Sequence, residues 1–116
     1  MPADLFFLFD EGRIMIGETL RYLRVFNNLT MIELGEKLDL SQSYISEIEG
    51  GKKQPTLQVI ERYAAFFSMK PSTIMLFSEA LDRDKEHNTI GTKQRVAYAG
   101  MKLIRIIEKA GELENE

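Results

Sequence analysis

The chain of 116 residues contains no cysteine and only one histidine, His87. Without thiols it can build neither a disulfide framework nor a thiolate metal site. His87 has no cysteine partner and no activated nucleophile near it, so catalytic and metal chemistry have nothing to rest on. No apolar run approaches the ~20 residues that a membrane-spanning helix requires. The opening stretch, MPADLFFLFDEG, is briefly apolar but lacks the basic segment that begins a secretory leader. A reducing cytoplasm is therefore the expected compartment, and no membrane partner or cofactor is expected. Internal repeats and low-complexity tracts are also missing. Outside the first dozen residues no alternation is long enough for a strand.

An excess of positive charge is missing too, the formal net charge being −3. Residues 1–12 hold Asp4, Asp10 and Glu11 and no base, whereas residues 13–55 balance six basic against six acidic side chains. The remaining 61 residues carry nine of each sign, so the whole acidic excess lies in the first dozen. A domain neutral overall binds nucleic acid non-specifically only weakly, and a local basic face has to supply any phosphate contact.

What is present is helical periodicity, in a chain 44% hydrophobic and so rich enough for one small core. A first helix is expected over 13–27, with Ile16, Leu20, Leu23 and one of Val25 and Phe26 facing inward. Asn27 and Asn28 end it, both being tolerant of left-handed backbone. Thr30 caps a second helix and Glu33, three residues on, completes a capping box. Ile32, Leu34 and Leu38 are its apolar positions. Ser41 caps a third helix carrying Ile45 and Ile48, which Gly50 and Gly51 stop. Pro55-Thr56 opens a fourth, with a stripe of Leu57, Ile60, Ala64 and Phe67. Pro71 stands at the start of a fifth, whose expected buried face is Ile74, Met75, Phe77 and Leu81.

Residues 82–92 turn polar and are expected to be a solvated linker. Asp82, Asp84, Glu86 and Asn88 alternate there like calcium ligands. However, His87 stands where a glycine must allow the sharp turn, and Lys93 replaces the closing glutamate, so no metal is expected. A sixth helix is expected from about Lys93 to Ala110, with Val96, Gly100, Leu103, Ile104, Ile107 and Ala110 on one side. Gly111 should end it, leaving an acidic tail. The organisation is thus an apolar arm (1–12), an all-α domain (13–81), a linker (82–92) and a C-terminal helix (93–116).

The segment from Thr30 to Thr56 carries the chemistry. It reads as two short helices joined by a tight turn. The outward residues of the second, Gln42, Ser43, Tyr44, Ser46 and Glu47, are hydrogen-bonding side chains with one aromatic and one charge. Such groups can pair with the donors and acceptors displayed in a DNA major groove.

This segment resembles the Cro/lambda-repressor-like helix-turn-helix family, also called the xenobiotic-response-element family. The resemblance rests on Thr30, Glu33 and Leu34; on Leu40, Ser41 and Gln42; on Ile45, Ser46, Ile48 and Glu49; and on Gly51, Lys52 and Pro55. It covers roughly residues 16–77. Met31 stands where the family usually has a phosphate-contacting glutamine, Gly35 where it has alanine, and Asp39 where it has a turn glycine. The resemblance implies a five-helix lambda-repressor-like domain, here with an additional C-terminal helix and the apolar N-terminal arm. It implies base reading by Gln42, Ser43, Ser46 and Glu47, with Gln42 suited to adenine and Glu47 to cytosine. Arg21, Thr30, Tyr44, Lys52, Lys53 and the backbone amides near Gly51 are the candidate phosphate contacts. Arg24 and Glu49 are expected to form a buried ion pair beneath the reading helix.

Two apolar surfaces are left without a role. One is the arm, above all Leu5, Phe6 and Phe9; the other is the last helix, above all Val96, Leu103, Ile104 and Ile107. Packing on the chain's own core and a homodimer interface are both open for them. The expected function is transcriptional regulation, as a repressor, by a dimer on a palindromic double-stranded DNA operator through helix 42–49. An antitoxin of the same fold, holding a toxin through the arm or last helix, is the first alternative. An interaction adaptor without DNA binding is the second.

Overall fold

The computed structural model describes residues 16–84, 87 and 89–114. Its elements in chain order are α1 (Ile16–Phe26), α2 (Met31–Leu38), α3 (Gln42–Glu49), α4 (Leu57–Phe66), α5 (Pro71–Arg83) and α6 (Thr92–Glu114), and no strand occurs among the described residues. The expected arm, with Leu5, Phe6 and Phe9, lies outside them, as do Lys85, Glu86 and Asn88.

Helix ends follow the local chemistry. Thr30 accepts from the Glu33 amide while its own amide donates to the Glu33 side chain, closing the capping box of α2. That bond from the Thr30 amide holds the Glu33 carboxyl below the usual range. Ser41 and Thr56 cap α3 and α4 through bonds from the Tyr44 and Val59 amides. Pro71 opens α5, where its missing N–H is no loss. Asn27 folds back to the Leu23 carbonyl, and Asn28 takes a positive φ of 55° at the end of α1.

The turn between α2 and α3 passes through Asp39 at φ 57°, with the cap N–H bonded to the Gly35 carbonyl. A side chain is strained there, and a carboxylate also sits at the negative end of a helix. Asp39→Gly is therefore expected to stabilise the fold by ~0.5–1 kcal/mol, after subtracting glycine's greater freedom when unfolded. Urea melts of the two proteins check it.

The core is one cluster. α1 packs against α3, α5 and α6; α2 packs against α3 and α4; α4 packs against α5. Leu20, Leu23, Leu34, Ile45, Ile48, Ile74, Phe77 and Leu81 are fully buried in it, each stabilising the fold by roughly 1.5–3 kcal/mol.

Several positions differ from the sequence expectation. Leu57, in the first turn of α4, is 67% exposed and Met75 is 49% exposed, whereas Val59 and Tyr63 fill the core. Ile32 and Val25 also face outward, while Phe26 packs inward against Tyr22. The fault is common to all of them: helical spacing allows several adjacent stripes, and only the neighbouring helices choose one.

Within the segment expected to be a solvated linker, the described residues Asp84 and His87 are docked instead. His87 is fully buried. The Tyr22 hydroxyl donates to Glu18 Oε1 at 2.5 Å and lies 2.8 Å from His87 Nε2. Because the phenol hydrogen is committed to the carboxylate, the imidazole is assigned as donor in the second bond. Burial, and then the bond to Glu18, push the Tyr22 hydroxyl's pKa up. Asp84 accepts from the His87 amide, from the Tyr98 hydroxyl at 2.7 Å and from Lys102 at 3.2 Å. Burial works against its charge, but these donors outweigh it and hold its carboxyl below the usual range. Arg95 reaches both the Ile90 carbonyl and Glu18. Polar residues thus clasp α6 to α1 and α5.

α6 departs from expectation in two further ways. It runs through Gly111 to Glu114. Its inward stripe is Val96, Ala99, Leu103 and Ile106, with Gly100 against the Phe26 ring. Leu103 is therefore buried in the chain's own core and Val96 packs half-buried against it. Ile104 and Ile107, grouped with them by the sequence, are on the outer side.

Candidate nucleic-acid interface

α3 is seated by its two inward residues, Ile45 and Ile48, both fully buried. That leaves Gln42, Ser43 and Ser46 exposed together on its outer face and at its N-terminal end, where amides and the positive end of the helix dipole also point outward. Glu47 is half-buried at the edge of this face. Its Oε2 lies 3.4 Å from Lys53 Nζ, which in turn lies 6.0 Å from the centre of the Tyr44 ring. Tyr44 itself packs against the core. Glu47, Tyr44 and Lys53 thus form a surface cluster, of a kind worth at most ~1 kcal/mol.

Beneath α3 lies the pair expected from the sequence. Arg24 Nε donates to Glu49 Oε2 at 2.7 Å and Nη2 donates to Oε1 at 2.8 Å, a two-pronged bond. The side chains are only 12% and 2% exposed. The remaining prong, Nη1, donates to the Leu29 carbonyl at 2.9 Å, so the same arginine also ties down the loop before α2. The bond to Glu49 holds Arg24 in its charged form despite its burial. Nearby, burial and then the Glu49 carboxylate push the Tyr63 hydroxyl's pKa up.

Two features of the seat have no counterpart in the sequence reading. Gly17 of α1 touches α3 so closely that an added Cβ would lie 2.0 Å from the Ile48 carbonyl oxygen. Arg62 of α4 donates to the Leu38 carbonyl at 3.2 Å and to the Asp39 carbonyl at 3.4 Å, holding the turn from across the domain. Only a distance in space could show it, since the partners are more than twenty residues apart.

The candidate phosphate contacts are divided by the structure. Lys52 and Lys53 are exposed just beyond α3, and Thr30 is exposed at the start of α2. Arg21 is exposed on α1, one turn from Gly17 and less than one from Arg24, the residues by which that helix meets α3. The amides expected to clamp a phosphate near Gly51 are already engaged. The amides of Gly50, Gly51, Lys52 and Lys53 donate to the Ser46, Ile48 and Glu47 carbonyls, because a terminating helix satisfies its own last acceptors first. Side chains alone remain for phosphates there. Gly51, at φ 78°, makes that reversal possible.

A helix-turn-helix family profile matches residues 20–74, from within α1 to within α5. An uncharacterised HTH-type transcriptional regulator of Methanocaldococcus jannaschii is 37% identical over 60 residues, covering 52% of this chain and 91% of that protein. The chain belongs to the XRE-type helix-turn-helix family of transcriptional regulators. It is a DNA-binding regulator and not an enzyme. Two more relatives are an immunity repressor protein of Bacillus phage phi105 and the control protein C.BamHI of Bacillus amyloliquefaciens. The first is 32% identical over 60 residues, spanning 52% of this chain but only 42% of the phage protein. The second is 28% identical over 67 residues, spanning 57% of this chain and 83% of the control protein. No solved structure matches. The family profile ends within α5 and does not reach α6. Among the described residues no helix is long and apolar enough to cross a membrane, and no cluster of side chains could hold a metal ion.

Proposed function

We propose that this helix-turn-helix protein is a cytoplasmic repressor that binds a palindromic operator as a dimer, reading bases with Gln42, Ser43, Ser46 and Glu47. The observation that carries the reading is α3 itself. Its hydrogen-bonding side chains are exposed on one face, while Ile45, Ile48 and the Arg24–Glu49 bridge immobilise the other. A reading helix needs that rigidity, because base edges are told apart by hydrogen-bond geometry. Arg21, Thr30, Lys52 and Lys53 hold the flanking phosphates. Lys53 leaves Glu47 as it does so, freeing that carboxylate for a cytosine amine. One such helix contacts few base pairs, and two copies on half-sites ~34 Å apart supply the missing discrimination. The names of the relatives, regulator, repressor and control protein, favour regulation over the antitoxin and adaptor alternatives.

The test begins by selecting bound sequences from random DNA. On the selected operator, Gln42→Ala and Ser46→Ala are each expected to weaken binding by ~1–3 kcal/mol and to leave non-specific binding unchanged. Lys52→Ala and Lys53→Ala are expected to weaken binding to every sequence and to flatten its salt dependence. Equal losses on all sequences from both classes of variant would show that α3 is not the reader.

A further inference from the structure

Among the described residues, the outer face of α6 is an apolar stripe that nothing covers. Met101 and Ile104 are each 57% exposed and Ile107 is 45% exposed, with Ala97 exposed one turn before them. Residues 97, 101 and 104 repeat at the three- and four-residue spacing by which one helix seats against another. The stripe is opposite the inward residues Val96, Ala99 and Leu103, so packing among the described residues does not use it.

The charges of α6 say what covers it. Lys93 and Arg95 stand in its first turn, Lys102, Arg105 and Lys109 follow along it, and Glu108, Glu112 and Glu114 gather toward its end. This order opposes the helix dipole, whose positive end favours acids and whose negative end favours bases. A helix so charged is poorly arranged by itself. A second α6 running antiparallel relieves both ends at once, because it lays acidic ends beside basic ones and opposes the two dipoles. The arm at 1–12 offers no such match, since its charges are all of one sign and its five contiguous apolar residues lack helical spacing.

We infer that two copies of this chain pair through an antiparallel α6–α6 contact centred between Met101 and Ile104, with Lys93 of each beside the acidic end of the other. This rests on the dimer reading above and names its surface. The middle of Thr92–Glu114 falls at that same point, so the helices overlap along their whole length. Met101 of one copy then meets Ile104 of the other, and Ala97 meets Glu108.

The experiment uses the full chain. Sedimentation equilibrium over a concentration series is expected to show a weak monomer–dimer exchange. Ile104→Glu is expected to abolish it without lowering the thermal midpoint measured at concentrations where the parent is monomeric, because the site is exposed. Lys93→Glu and Glu112→Lys, which this register places opposite each other, are each expected to weaken dimerisation about two- to five-fold, and the double exchange to restore it. Because the chain has no cysteine, cross-linking reports orientation cleanly. A mixture of A97C and E108C proteins should form a mixed disulfide dimer on oxidation, and neither alone should. Efficient linking of A97C to itself would mean a parallel pair and would overturn the inference. A dimer that survives Ile104→Glu would overturn it and leave the operator reading standing. A protein that stays monomeric, even on its selected operator, would remove the dimer from that reading as well.

Discussion

Arg24→Ala and Glu49→Ala are each expected to destabilise the protein by about 3–5 kcal/mol, since each leaves one buried charge without its partner. Surface ion pairs rarely contribute more than ~1 kcal/mol, so burial decides which magnitude applies. Here Glu49 is 2% exposed and both of its oxygens are bonded to the guanidinium. Arg24→Ala should be the more damaging of the two, because it also releases the Leu29 carbonyl before α2. Arg24→Lys should recover little, as an ammonium cannot reproduce a two-pronged bond. Replacing both residues together by apolar ones of similar size should recover most of the loss, since no unpaired charge then remains. The readout is the free energy of unfolding from urea titrations, alongside operator affinity. Single variants whose melts fall within half a degree of the parent would refute the pair's structural role.

Gly17→Ala is the second substitution with a large effect, and general rules about helices give it the wrong sign. A glycine inside a helix is ordinarily ~0.8–1 kcal/mol worse than alanine, so the exchange should stabilise α1. The new Cβ, however, would stand 2.0 Å from the Ile48 carbonyl oxygen, a backbone atom near the end of the reading helix. No rotamer change relieves a clash with backbone; α1 and α3 have to move apart. Overpacking of this kind typically costs 1–3 kcal/mol and occasionally more, which exceeds the propensity gain. The expected net loss is about 2 kcal/mol, together with weaker binding to the selected operator, because the displaced helix is the one that meets the bases. A Gly17→Ala protein more stable than the parent would show that the two helices are not held this close.

How far the sequence could be read varied with the range of the interaction. Thr30 with Glu33, Ser41 with the Tyr44 amide, and Thr56 with the Val59 amide are contacts over three residues, and the letters alone specify them. Tyr22 and His87 are 65 residues apart, and nothing in a polar run such as DRDKEHNTIGT reveals a buried imidazole. A phenol, an imidazole and a carboxylate each look like surface groups until they are placed together and satisfy one another. α6 shows the same limit. Its apolar residues were legible, but Leu103 and Ile104 are neighbours facing opposite ways, and only the position of α1 and α5 tells which is core.

By itself, then, the sequence determined the all-α class, the caps and the turn of the helix-turn-helix, the outward placing of Gln42, Ser43 and Ser46 on α3, and the absence of cysteine. Each follows from residue type and short spacing. Tertiary structure alone decided that Gly17 lets α3 lie against α1, that Arg62 braces the turn, and that the amides after α3 are already spent. It also decided that Asp84 and His87 tie down α6 and α1, and that Met101 and Ile104 are left facing outward. These depend on which groups distant segments bring within a few ångströms, where one backbone contact or one buried proton outweighs the preference of any residue alone.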